Sequence, residues 1–301
     1  MSSVYLGTSS FAATVLERLS RSRHRPALVL TRPDRPRGRG RRLASPPVAD
    51  AARELGLPLQ QPEAVNASEV VERIRALRPS AICVCAFGAL IREPLLSLRP
   101  LLNVHPSLLP RWRGAAPIER AIEAGDETTG VSIIELAKEL DAGRVCAQRS
   151  EPIARGDDFA SLSARLALLS GELLVETLDG ERECVPQARE GVTYAHKIGP
   201  EDRRLDPERP ATALERRVRA LSPHIGAHVE LDSGQRLGVR RAAVAERSGA
   251  PAGELVTLGE RLLLSCAQGA LELLEVQPEG ARAMDAGAYL RGRGAALRGA
   301  A

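Results

Sequence analysis

The chain has 301 residues, 44% of them apolar and 27% charged, with a formal net charge of +4 and a pI near 9.0. That length has room for two domains, each burying a core of its own, and the composition fits a soluble globular protein. No run of about 18 apolar residues and no basic-plus-apolar leader is read, which argues against a membrane-spanning helix and predicts a cytoplasmic protein.

In chain order, residues 4–6 read as a short buried strand. Gly7-Thr8-Ser9-Ser10 is a turn with helix-capping side chains, and 11–19 has helical spacing. A second strand is predicted over 27–31. An irregular Arg/Gly/Pro-rich stretch over 33–47 follows, then helices over 48–55 and 69–77. The unbroken apolar run at 81–86 is that of a central parallel strand covered on both faces. Another apolar strand ends near 102–104, a short helix covers 117–124, and strands are predicted at 131–134 and 145–148 around a loop at 135–143. Asp157-Asp158 caps a long helix over 159–178.

Strands alternating with helices predict crossovers and an open, mostly parallel Rossmann-like α/β sheet. Ligands sit at the carboxyl ends of such strands, so the loops after Leu6, Ala86 and the strand at 102–104 are candidate site loops. The first turn has Gly7 alone and no GxGxxG, which argues against a dinucleotide-dependent oxidoreductase.

Beyond 181 the texture turns polar. A helix over 214–221 precedes short apolar runs at 228–231, 237–239, 255–256, 262–265 and 271–276, the spacing of a small β-barrel. The domains expected are 1–183 and 206–301, joined by a linker over 184–205. The five cysteines are odd in number and lack metal-ligand spacing, so all five read as reduced thiols and no metal is expected.

Two segments carry chemistry. Asn103 and His105 stand two apart at a strand end, so both side chains point the same way. An amide can donate to a developing oxyanion, and an imidazole can donate to it and handle a proton near neutral pH. Asp141 precedes a glycine turn in a loop that follows a strand. From there a carboxylate could reach the same crevice and accept a proton through water.

In this order, NVHPSLLPRWRGAAPI (103–118) and TGVSIIELAKELDAG (129–143) resemble the folate-dependent formyltransferase family. The resemblance implies Asn103, His105 and Asp141 as the catalytic trio and 10-formyltetrahydrofolate as formyl donor. It implies Ser107, Leu108, Leu109 and Pro110 as a folate-binding element, and Phe87, Gly88 and Leu90 in a pterin-pocket segment. The Arg-rich stretch over 32–48 is similar to an insertion loop of family members that act on initiator methionyl-tRNA. It implies RNA contacts from Arg37, Arg39, Arg41 and Arg42, in a loop disordered without RNA. The stretch over 271–284 resembles the end of an OB-like, tRNA-docking domain, and a monomer is expected. A sugar-nucleotide formyltransferase would share the trio without needing the Arg loop. A non-enzymatic RNA binder would leave the trio idle.

Overall fold

The strand–helix alternation expected of the first 180 residues is present in a computed structural model, which describes residues 2–37, 42–98, 100–181, 183–246 and 249–293. The elements run β1 (Ser3–Gly7), α1 (Ser10–Ser20), β2 (Pro26–Leu30), β3 (Arg35–Arg37), β4 (Arg42–Ala44), α2 (Pro47–Glu54), β5 (Leu59–Gln60), α3 (Ser68–Leu77), β6 (Ala81–Cys85), β7 (Leu101–His105), β8 (Arg113–Gly114) and α4 (Pro117–Ala124). They continue with β9 (Thr128–Glu135), β10 (Val145–Pro152), α5 (Phe159–Asp179), β11 (Tyr194–Ala195), α6 (Ala211–Leu221), β12 (Ala227–Glu230), β13 (Arg236–Ala245), β14 (Leu255–Leu258), β15 (Arg261–Ser265), β16 (Ala270–Pro278), β17 (Met284–Asp285) and α7 (Ala286–Arg293). The chain divides into two units, residues 1–117, 128–152 and 163–195 in the first, and 118–127, 153–162 and 196–301 in the second.

The first unit is built on a seven-stranded sheet in the order β10-β9-β7-β6-β1-β2-β5. The five strands from β5 to β7 run parallel, and β9 and β10 are antiparallel. The order reverses between β1 and β6, the switch point where open α/β sheets open a crevice. Alternate residues Val4, Leu6, Leu28, Leu30, Ile82 and Val84 share one face and pack with Val70 and Ile74 of α3. Complete burial of each such side chain stabilises by about 1.5–3 kcal/mol. The hydroxyl of Ser9 caps α1 by accepting the Ala12 N–H at 3.3 Å. A Cβ at Gly7 would lie 2.7 Å from the Tyr5 ring and 2.9 Å from Ala12, so glycine lets α1 close onto β1.

The second unit holds the antiparallel strands, in the order β12-β13-β16-β15-β14 with β17 on β16. Leu214, Val218 and Leu221 of α6 and Tyr289 and Leu290 of α7 join its core. β13 runs well beyond the predicted 237–239 because Arg240 and Arg241 interrupt the apolar pattern where the ladder with β16 shifts register.

Two expectations are corrected. Cys146 and Cys184 form a disulfide, with S–S 2.07 Å, so the five cysteines are not all free. Val145 and Val185 make an antiparallel bridge with N–H···O bonds of 2.8 and 2.9 Å in both directions. That pairing sets the next residues, 146 and 184, opposite each other, which a separation of 38 positions hides in the sequence. The Arg-rich stretch, expected to be irregular throughout and disordered without RNA, forms a ribbon at its flanks, with Arg37 paired to Arg42. Its base is tied by the Asp34 carboxylate, which accepts from Gln61 Nε2 at 2.7 Å and Ser45 Oγ at 3.1 Å. Residues 38–41, with Arg39 and Arg41, lie outside the described residues. Among those described, no helix is long and apolar enough to cross a membrane.

Candidate active site

β7 sets the site. Leu101, Leu102 and Val104 are buried, while Asn103 and His105 extend from the same side of the strand, as their spacing requires. In the next strand Ile134 pairs with Asn103 and Ser132 with His105. β9 is antiparallel, so its loop does not leave at the carboxyl end where His105 sits. It leaves just past Asn103 and folds back. A Cβ at Gly143 would stand 1.7 Å from the Glu135 carbonyl oxygen, so only glycine closes this return. Asp141 lies within the loop at φ 48°, left-handed backbone that a side chain rarely adopts.

These constraints bring the three predicted residues together. Asn103 Nδ2 donates to Asp141 Oδ1 at 3.4 Å. His105 Nδ1 stands 3.6 Å from Asp141 Oδ2, with the two side chains 5% and 11% exposed. Asp141 Oδ2 also accepts the Gly114 N–H at 2.9 Å. His105 Nε2 lies 2.8 Å from the Trp112 carbonyl. A carbonyl only accepts, so Nε2 carries a proton and Nδ1 is the nitrogen facing the carboxylate.

Sequence reasoning missed Gln187, which lies in the stretch read as linker. Its Nε2 donates to the carbonyls of Asp141 and Gly143 at 2.7 and 2.8 Å. Its Oε1 accepts from Arg113 Nε and Nη2 at 3.0 and 2.7 Å. One amide thus holds both ends of the Asp141 turn against the strand carrying Gly114. Polar composition gave no sign of this, since the bonds that hold the turn are to backbone carbonyls. Beside it Arg113, Arg144, Arg189 and Tyr194 line a surface depression of about 630 Å³.

The other predicted residues divide. The loop after β6 begins level with β7, Cys85 pairing with Val104, and carries Ala86 at φ 43° and Gly88 at φ 72°. Thr8 Oγ1 donates to the Phe87 carbonyl at 2.7 Å, joining the loops on either side of the switch point. The Phe87 ring is in the core, whereas Leu90 is 65% exposed. Ser107 is fully buried, and its hydroxyl donates to the Arg111 carbonyl at 2.7 Å. The Leu109 N–H donates to Ser132 Oγ at 3.1 Å and its carbonyl accepts from Gln148 at 2.8 Å. The turn 107–110 is therefore fixed from both sides, ending at Pro110, with Leu109 buried and Leu108 half-buried. Arg42 is exposed, and nothing is described of the side chain of Arg37. Burial pushes the Cys85 thiol up to about 12, so this neighbouring cysteine is no nucleophile near neutral pH.

The formyl transferase family model matches residues 1–178, and the model of the formyl transferase C-terminal domain matches 197–294. A methionyl-tRNA formyltransferase of Halorhodospira halophila is 43% identical over 297 residues, with 96% of each chain covered. The enzyme of the same name from Neisseria meningitidis serogroup A is 38% identical over 301 residues, with 97% of each chain covered. Among solved structures, HypX from Aquifex aeolicus in complex with tetrahydrofolic acid superposes with a TM-score of 0.65 at 20% identity. The match covers 96% of this chain but 46% of HypX, so the chain spans about half of that protein. An N-formyltransferase from Helicobacter canadensis, in complex with folinic acid and dTDP-3-aminofucose, superposes at 0.66 with 14% identity, covering 90% and 98% of the two chains.

Proposed function

The chain belongs to the formyl transferase family, and on that premise we propose that it transfers the formyl group of 10-formyltetrahydrofolate to the α-amino group of initiator methionyl-tRNA in the cytoplasm. The observation that carries the chemistry is the convergence of Asn103, His105 and Asp141 on one face of β7. The name shared by relatives matched over nearly their full length supports the acceptor. In this reading residues 1–183 are the catalytic domain, 206–301 an RNA-docking domain and 184–205 the linker.

The residues fit the folate donor as a substrate. The loop over 86–90 offers main-chain groups in left-handed turns, a conformation that exposes amides to a ligand, and the fixed turn over 107–110 flanks it. As the acceptor amine adds to the formyl carbon, the oxygen takes on negative charge. Asn103 Nδ2 and, in its charged form, His105 Nδ1–H donate to it. Loss of one such donor costs on the order of 2.7–4 kcal/mol. Asp141 accepts the proton that the amine releases. The same network returns a proton to N10, whose bond to the formyl carbon breaks, leaving the N-formylated acceptor and tetrahydrofolate. The Gly114 N–H and the Gln187 amide keep Asp141 in place throughout.

The acceptor is tested by formylation assays run side by side with methionyl-tRNA and a nucleotide-linked amino sugar. Transfer to methionyl-tRNA alone is the expected result. Transfer to the sugar alone would replace the acceptor in this reading.

A further inference from the structure

The second unit contains a pocket of about 160 Å³ at the base of β12 and β13, flanked by the turn after β16. Pockets for drug-sized ligands start at about 300 Å³, so a much smaller group would fill this one. Arg203, Arg236, Arg240 and His228 line it. Arg203 donates from Nε to the Gly226 carbonyl and from Nη2 to the Ile225 carbonyl, both at 3.1 Å. Arg240 donates from Nε to Gln277 Oε1 at 3.0 Å and from Nη1 to the Pro223 carbonyl at 3.2 Å. Both guanidinium groups are thus oriented by neutral acceptors, and their charge is not cancelled by those contacts. Gly226, at φ +79°, admits Arg240 to the wall, since a Cβ there would lie 2.7 Å from its Nη1.

His228 faces the same space. Its neighbours Ala227 and Val229 enter the core of the unit, so by strand alternation the imidazole points to the other face. It is 9% exposed, and among the described residues its ring has no hydrogen-bond partner. Burial, then Arg236 and Arg203, hold it below its ordinary pKa of 6.5, with Arg204 in the same sense and Glu230 opposing. Arg204 pairs with Glu230 at 3.4 Å, and Glu279 is the one carboxylate among the lining residues. A small pocket, open on one side, with three guanidinium groups and an unpaired imidazole calls for an oxyanion, which guanidinium forks match in shape.

We infer that this pocket binds one phosphate group, held by Arg203, Arg236, Arg240 and a protonated His228. The phosphate is that of an RNA backbone, an identification that rests on the acceptor reading above; the phosphate site itself does not.

The test follows the His228 ring resonances of the full chain during titration with inorganic phosphate and with sulfate. Both anions should shift them saturably. Sulfate, whose own charge is constant, should bind more tightly as pH falls from about 8 to about 6, because the anion draws a proton onto the imidazole. Arg236→Gln removes an exposed side chain and leaves the bonds of Arg203 and Arg240 intact. It should weaken both anions about tenfold. Single-stranded RNA binding by Arg236→Gln should fall, with a salt slope smaller by about 1. If the anions still bind but the RNA slope is unchanged, the site stands and its ligand is free phosphate. Absence of a saturable shift, or equal affinities in wild type and Arg236→Gln, would overturn the site. Failure to formylate methionyl-tRNA would overturn the acceptor reading and leave the site untouched.

Discussion

Asp141 at φ 48°, Ala86 at 43° and Trp112 at 65° all hold a conformation unfavourable to side chains, and each such residue costs about 1–3 kcal/mol that its surroundings must offset. All three flank the same strand end. At Asp141 the offset comes from the Gly114 N–H on the carboxylate and the Gln187 amide on the backbone. Asn103→Ala, His105→Ala and Asp141→Ala should each lower kcat by about 10²–10³ with the melting temperature nearly unchanged. Steady-state rates with calorimetry check this, and near-wild-type kcat in any variant removes that residue from the mechanism. Gln187→Glu should behave like Gln187→Ala, since the carboxylate can still take Arg113 but cannot donate to the two carbonyls. Both should lower kcat with little change in donor affinity, whereas full activity in Gln187→Glu would show that only the Arg113 contact matters. At this scale Asn103 and His105 were legible, because period-two spacing at a strand end fixes direction. Asp141 needed the family resemblance. Gln187 left no trace, as the two bonds by which it holds the Asp141 turn are to backbone carbonyls.

The elements that complete the site are a hairpin and two turns. The sequence suggested a loop at 135–143 but took it to open at the carboxyl crevice of a parallel sheet. Neither apolar run distinguishes an antiparallel edge pair from another parallel strand, so the direction of β9 was not readable. Once β9 turns back, Gly143 becomes the tightest point. Gly143→Ala must displace the Glu135 carbonyl and should destabilise by at least the 1–3 kcal/mol of an overpacked position, together with loss of activity. Denaturant unfolding measures the first, and unchanged stability would contradict this account of the loop. The Arg-rich stretch makes a second prediction. Neutralising Arg39, Arg41 and Arg42 together should weaken methionyl-tRNA use and flatten its salt dependence by up to about 1 for each phosphate no longer neutralised. An unchanged slope would detach this stretch from RNA. The flanks of this segment pair because Asp34 is anchored by Gln61 and Ser45, a tertiary arrangement that composition cannot reveal.

For the whole molecule, alternation of strands and helices was enough to foresee an α/β sheet followed by an antiparallel, strand-rich unit. It was not enough for the cross-links that tie distant segments. The Cys146–Cys184 bond depends on two strands meeting at Val145 and Val185. With that bond intact, Cys83, Cys85 and Cys266 are the thiols outside the disulfide, and all are buried. A thiol reagent should therefore find almost nothing to react with in the native protein and three thiols after unfolding without reductant. Five would contradict the disulfide.

Stability should also fall with acid. His228 is held below 6.5 in the fold, so below that pH the unfolded chain binds the proton more readily and folding loses free energy. Asp202 adds to this at lower pH. Burial pushes its carboxyl up, but the Arg120 guanidinium at 2.9 Å, the Gly199 N–H and the charge of Arg217 together outweigh that and hold it below its ordinary value. Its contribution is present above the carboxylate range and lost on protonation. Melting temperatures in phosphate-free buffer should drop as pH falls below about 6.5, and a rise would contradict both assignments.

The most direct measurement is single-turnover transfer of labelled formyl from 10-formyltetrahydrofolate to methionyl-tRNA, by the wild-type chain and by Asp141→Asn. The substitution keeps the size of the side chain and removes its charge. The account predicts rapid transfer by the wild type and a rate slower by about 10² or more in the variant, with the donor still bound. Transfer at the same rate in both would contradict it.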